Sequence, residues 1–113
     1  MIKSKEMLDL ISNTLDINKA QDIKVIDLNG KAYFADYMVI ATATSSRQCS
    51  ALARYVEDEL RKKGYKEAII SGKTSGDWVA MDCGDVVVHL FRPEVREFYD
   101  LEKLWIDPPL INE

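Results

Sequence analysis

The chain has one histidine, His89, inside the run CGDVVVHLF from Cys83 to Phe91. A catalytic histidine needs a nucleophile within reach and a carboxylate to orient its ring. Asp77 or Asp85 would supply the carboxylate, but no spacing ties a Ser or Cys to the ring. A second candidate is the carboxylate set Asp27, Asp36, Asp82 and Asp85, because paired carboxylates hold magnesium in nucleotidyl transfer. That chemistry places two carboxylates on one strand face as D-x-D beside a Gly-Ser turn, and the sequence contains neither. Asp82 and Asp85 flank a tight turn, where Asp is common for local reasons.

The hydroxyl-rich stretch ATATSSR, Ala41 to Arg47, leads into a helix, and backbone N–H groups at a helix start take phosphate. No glycine lies in it to let a phosphate approach the backbone closely. Ser45 reads as the helix cap, with Thr42 and Thr44 satisfying local backbone. Cys49 and Cys83 belong to no C-x-x-C pair, and with one His they are too few for a zinc site. They read as free thiols, and the chain is expected to need no metal and no cofactor.

The elements that would position these groups follow from periodicity. Residues 4–16 place Met7, Leu8, Ile11 and Leu15 at helical spacing, with Ser4 as the cap. IKVIDL at 23–28 reads as a strand closing in Asn29-Gly30, and YMVIATA at 37–43 is apolar on both faces, which suits a central strand. Ser45 and Gln48 form a capping box. Cys49, Leu52, Ala53, Val56 and Leu60 then make one apolar helix face, which ends at Gly64. EAIIS at 67–71 is a short strand, DWVAMD and DVVVHLF pair as a hairpin, and Pro93 opens a final helix with Val95, Phe98 and Tyr99 inward. Asp100 caps a further turn carrying Leu101, Leu104 and Trp105, and Pro108-Pro109 ends it. The order α-β-β-α-β-β-β-α implies an α/β single domain over residues 1–107 with a short tail at 108–113. Its sheet is mixed, of about five strands, with a right-handed parallel crossover around the second helix and too few helices to cover both faces.

The hairpin decides what His89 faces. A three-residue loop DCG with Gly84 left-handed sets Met81 opposite Asp85 and Val79 opposite Val87. One face then gathers Asp77, Val79, Met81, Asp85, Val87, His89 and Phe91, a mixture suited to a partner. The other gathers Trp78, Ala80, Val86, Val88 and Leu90 and reads as core. A one-residue change of register moves Trp78 to the docking face. His89 is therefore a recognition or structural residue rather than a base. The expected partner-binding set is Met81, Val87, His89, Phe91 and Trp78, with Asp77, Asp82, Asp85 and Glu97 to pair with basic groups.

The length of 113 residues and 47% hydrophobic content fit one domain with a real core. A net charge of −4, from 15 basic and 19 acidic residues, argues against binding bare DNA and favours a basic protein partner. No apolar run approaches the ~20 residues of a membrane span, and the first 20 residues resemble neither a signal nor a transit peptide, so a cytoplasmic protein is expected.

GDWVAMDCGDVVVHLFRPEVREFYDLEKLW (76–105) and ADYMVIATATSSRQ (35–48), with VEDELRKKG between them, resemble the signatures of the ribosomal silencing factor, or Iojap-like, family. The likeness covers about residues 5–107. Ala43 departs from it, where the family commonly has Gly. The resemblance implies a nucleotidyltransferase-like fold without the catalytic motif, and a non-enzymatic role. Such proteins bind ribosomal protein fourteen of the large subunit, block joining of the small subunit and repress translation when nutrients are scarce. Two rival readings are a phosphate- or nucleotide-binding enzyme using Asp36, Thr44, Ser45 and Arg47, and a homodimer through the same sheet face.

Overall fold

The computed structural model describes residues 3–30, 33–72 and 77–99, with side chains of the last helix described through Arg96. Helix α1 spans Ser4–Ile17, strand β1 Gln21–Asp27, β2 Tyr37–Thr42, α2 Ser46–Lys62, β3 Ile69–Ser71, β4 Trp78–Asp82, β5 Val86–Phe91 and α3 Pro93–Tyr99. This is the expected order of elements. Lys3 rather than Ser4 occupies the cap position of α1, and no side chain caps it. The further turn expected after Asp100 and the tail at 108–113 lie outside the described residues. No helix among the described residues is long and apolar enough to cross a membrane.

The sheet has five strands in the order β1-β2-β5-β4-β3. β2 and β5 pair in parallel, and every other pair is antiparallel. β2 is buried along nearly its whole length, as its two apolar faces imply. β3 runs in the direction of β2 but lies at the far edge, because β5 and β4 are laid between them.

Helices α1 and α2 cover one face of this sheet. Leu8, Ile11 and Leu15 of α1 and Leu52, Val56 and Leu60 of α2 close over Val39, Ala41, Val79, Met81, Val88 and Leu90. Each such side chain taken fully from water contributes roughly 1.5–3 kcal/mol. The other face is covered over part of its width. Ile26, Leu28, Ala35, Met38, Ile40 and Phe91 are buried there, with Val95 of α3 packed against them. Towards β4 and β3 the cover thins. Trp78, Ala80, Val87 and His89 are half-buried, and Ile69 is 66% exposed.

Arg96 fixes α3 to this half-covered side. It is 7% exposed, and its Nη1 donates to Thr42 Oγ1 at 2.6 Å and to the Asp22 carbonyl at 2.7 Å. Asp22 has φ 53° at the point where β1 shifts register between Gln21 and Lys24, and its carboxylate lies 3.8 Å from the same guanidinium nitrogen. Asp tolerates this left-handed backbone better than most residues.

The hairpin register differs from the expected one. Cys83 N–H donates to the Val86 carbonyl at 2.9 Å, and Asp82 stands opposite Val87, so the turn is Gly84-Asp85. Gly84 takes φ 80°, the conformation that a tight hairpin turn asks of its first central residue. Expecting Cys83 inside the loop exchanged the two faces of β4, while those of β5 stand as expected. Val79 and Met81 are fully buried under the helices, whereas Trp78 joins Val87, His89 and Phe91 on the other side. Met81 is thus a core residue and not part of a docking face. Met81→Glu is expected to destabilise the domain by at least about 4 kcal/mol, since it buries an unpaired charge. Urea unfolding checks this, and an unchanged midpoint would place Met81 outside the core.

Candidate docking face

Residues directly opposite one another on neighbouring strands share a face. One row across the sheet therefore reads Ile26, Met38, Val87, Asp82 and Ile69, and the next reads Lys24, Ile40, His89, Ala80 and Ser71. Phe91 and Trp78 begin a third row. The half-covered patch is thus Trp78, Ala80, Val87 and His89, bordered by Asp82, Ile69 and Ser71. Ile69, Ala80 and Ser71 were not singled out from the sequence. Once the turn is placed at Gly84-Asp85, strand alternation alone assigns Ala80 to this face, and the pairing of β3 with β4 adds the other two.

Three rings organise the patch. Trp78 and Phe91 have centroids 5.0 Å apart and tilted by 37°. His89 stacks on Phe91 at 6.0 Å with planes 13° apart. The Trp78 indole Nε1–H donates to His89 Nδ1 at 3.0 Å. Ala80, directly opposite His89, is small enough to let the indole reach diagonally across. Gly72 supports Trp78 from behind. Its φ is 89°, and a methyl group there would overlap the Trp78 carbonyl oxygen.

Burial pushes the His89 pKa down to about 4. Protonation would also set a ring N–H against the indole N–H, so the ring is neutral at physiological pH. The ring is held by its aromatic neighbours and by the indole N–H.

The acidic candidates have separate fates. Asp77 is exposed but engaged by its own chain: its Oδ1 accepts from Ser46 Oγ at 3.2 Å and lies 3.3 Å from Arg92 Nε. It ties the start of α2 to the β5–α3 junction. Asp82 is exposed beside the patch, and its Oδ1 accepts the Gly84 N–H at 2.9 Å. Asp85 is exposed in the turn, with its carbonyl accepting from the backbone of Asp36 and Tyr37. Asp27 accepts from Asn29 N at 2.9 Å, a local turn role. The side chain of Glu97 lies outside the described residues.

The turn before α2 is occupied by its own side chains. Ser45 Oγ accepts from Gln48 N at 3.1 Å, and Gln48 Oε1 accepts from the Thr44 N–H at 2.6 Å and the Thr44 hydroxyl at 2.9 Å. The Asp77 carboxylate beside Ser46 is paired with Arg92. Burial raises Cys49 to about 11 and Cys83 to about 12, so both are inert thiols. Among the described residues no group of three or more His, Cys, Asp or Glu is placed to hold a metal ion.

Because His89 resists protonation only when folded, the unfolded chain binds one more proton between about pH 6.5 and about pH 4. Stability is expected to fall as pH drops through that window, by at most about 3 kcal/mol from this group. His89→Gln should remove that part of the slope, leaving the part owed to carboxylates. Urea titrations of both proteins at several pH values measure the difference, and identical slopes would show His89 protonating freely in the folded state.

The sequence matches, over residues 1–113, the family described as ribosomal silencing factor during starvation. It is 46% identical over 99 residues to the ribosomal silencing factor RsfS of Zymomonas mobilis, covering 88% of this chain and 74% of that one. It is 36% identical over 107 residues to the mouse protein named mitochondrial assembly of ribosomal large subunit protein 1, covering 92% of this chain and 47% of that one. The backbone is similar to a crystal structure of a Chromobacterium violaceum protein, with a TM-score of 0.88 at 37% identity and coverage of 92% of this chain and 87% of that one. With the family match running the length of the sequence and the relatives sharing both its residues and its backbone, the chain belongs to the ribosomal silencing factor family.

Proposed function

We propose that the protein represses translation without catalysis. In this reading the half-covered sheet face docks onto ribosomal protein fourteen of the large subunit and blocks joining of the small subunit, in the cytoplasm and under nutrient limitation. The observation that carries the reading is a half-covered, partly apolar face with Trp78 and His89 at its centre, in a member of a silencing family. Asp82 and Asp85 at its edge, in a chain of net charge −4, suit a basic ribosomal protein. The mouse relative's name, which refers to the ribosomal large subunit, supports that choice of subunit. Trp78, Val87, His89 and Ile69 are the contact residues, with the buried Phe91 ring beside Trp78 and His89. Asp77 is exposed and paired with Arg92, and core-facing Met81 supports the sheet from the helix side. A homodimer through the same face would compete with docking.

Sedimentation tests this. The protein is expected to travel with free large subunits and to be absent from assembled ribosomes, and equal recovery with both contradicts the blocking mechanism. Trp78→Ala should weaken binding by at least about tenfold, as central interface residues do, and Ile69→Glu, at the border of the patch, should also weaken it while leaving the fold intact because the side chain is 66% exposed. Asp85→Lys, at a wet edge, should cost under about 1 kcal/mol and act mainly on the association rate at low salt. Full-strength binding by a folded Ile69→Glu variant moves the contact off this face.

A further inference from the structure

We infer that His89 meets the partner as a neutral ring whose Nε2–H donates to an uncharged oxygen acceptor, a main-chain or amide carbonyl, set among apolar groups of the docked surface. The inference rests on the docking reading and states the chemistry that the partner must bring.

An indole nitrogen only donates, so the 3.0 Å contact from Trp78 Nε1 requires a bare lone pair on His89 Nδ1. A neutral imidazole carries one proton, which is then on Nε2. The Phe91 ring stacked beneath and the indole at the side hold this orientation before any partner arrives. The Trp78 N–H is meanwhile committed to His89. The outward polar group of the ring pair is therefore His89 Nε2–H. Among the described residues nothing accepts from it, and it is not one of the side-chain nitrogens sealed from solvent.

Docking removes the water that satisfies Nε2–H. A partner offering only hydrocarbon there would leave a buried donor unpaired, which is unfavourable. A partner carboxylate would lose its own hydration against a neutral donor, with Asp82 in the adjoining row and Asp85 in the turn both repelling it. A carbonyl oxygen satisfies the donor without either cost.

Two substitutions separate the ends of the ring. The side-chain amide of Asn reproduces the position of Nδ1, and that of Gln the position of Nε2. His89→Asn keeps an acceptor for Trp78 but loses the outward donor, so affinity for purified large subunits should fall about tenfold. His89→Gln keeps the outward donor and should recover most of that loss. Nitrogen-15 spectra of the ring should show the proton on Nε2 in the free protein. A ring protonated on Nδ1 overturns the inference even if His89→Asn does not fold, as does a folded His89→Asn variant that binds as tightly as wild type. Failure of the wild-type protein to bind large subunits overturns the docking reading itself, and the donor role with it.

Discussion

The position of the turn between β4 and β5 governs the rest of this structure. With Gly84 and Asp85 as its central residues, Val79, Met81 and Cys83 fall on the same side as Val86, Val88 and Leu90, and all six are buried beneath the two long helices. Moving the turn by one residue would send Met81 to solvent and Trp78 under α2, exchanging an unbranched chain for a large ring in a closed core. Gly84 supplies the positive φ that such a turn needs, and Asp82 accepts its N–H. The Asp85 carbonyl accepts from Asp36 and Tyr37, so the turn also aligns the start of β2 with the start of β5.

From that register come two sheet faces with different uses. The helix side is a saturated core whose residues would be replaced only at the expense of stability. The opposite side is closed near β1 and β2, where Ile26, Met38 and Ile40 are buried, and open near β4 and β3. Arg96 holds α3 at the boundary through contacts to β1 and β2. Within the open part the Trp78 indole N–H is already paired with His89 Nδ1, and both rings lie against Phe91. A face arranged in this way loses little side-chain freedom on docking, which favours affinity.

Much of this was legible in the sequence because the signals were local. Ser45 and Gln48, three apart, marked the start of α2, and the unbroken apolar run of β2 marked a central strand. The hairpin register was not legible, because both candidate turns use Gly84 and both leave one wholly apolar face. Periodicity alone therefore had no means of choosing between them. What decides is the burial of Cys83 beside the tip of the sheet, a tertiary fact. Arg96 was hidden for a similar reason: its partners Asp22 and Thr42 lie 74 and 54 residues away. The aspartates illustrate the converse. Asp82 takes the local turn role expected of it, whereas Asp77, expected at an interface, is engaged by Arg92 and Ser46 across distant segments.

The central claim is that the open face, and not the helix side, meets the ribosome. Hydroxyl-radical footprinting of the protein alone and bound to large subunits tests this most directly, because exposed reporters lie on both sides. Ile69 and the half-exposed Trp78 report on the open face, and Ile17 and Tyr55 report on the helices. Protection of Ile69 and Trp78 with unchanged labelling of Ile17 and Tyr55 is the result expected. Protection of Ile17 and Tyr55 with Ile69 and Trp78 still reactive would contradict it.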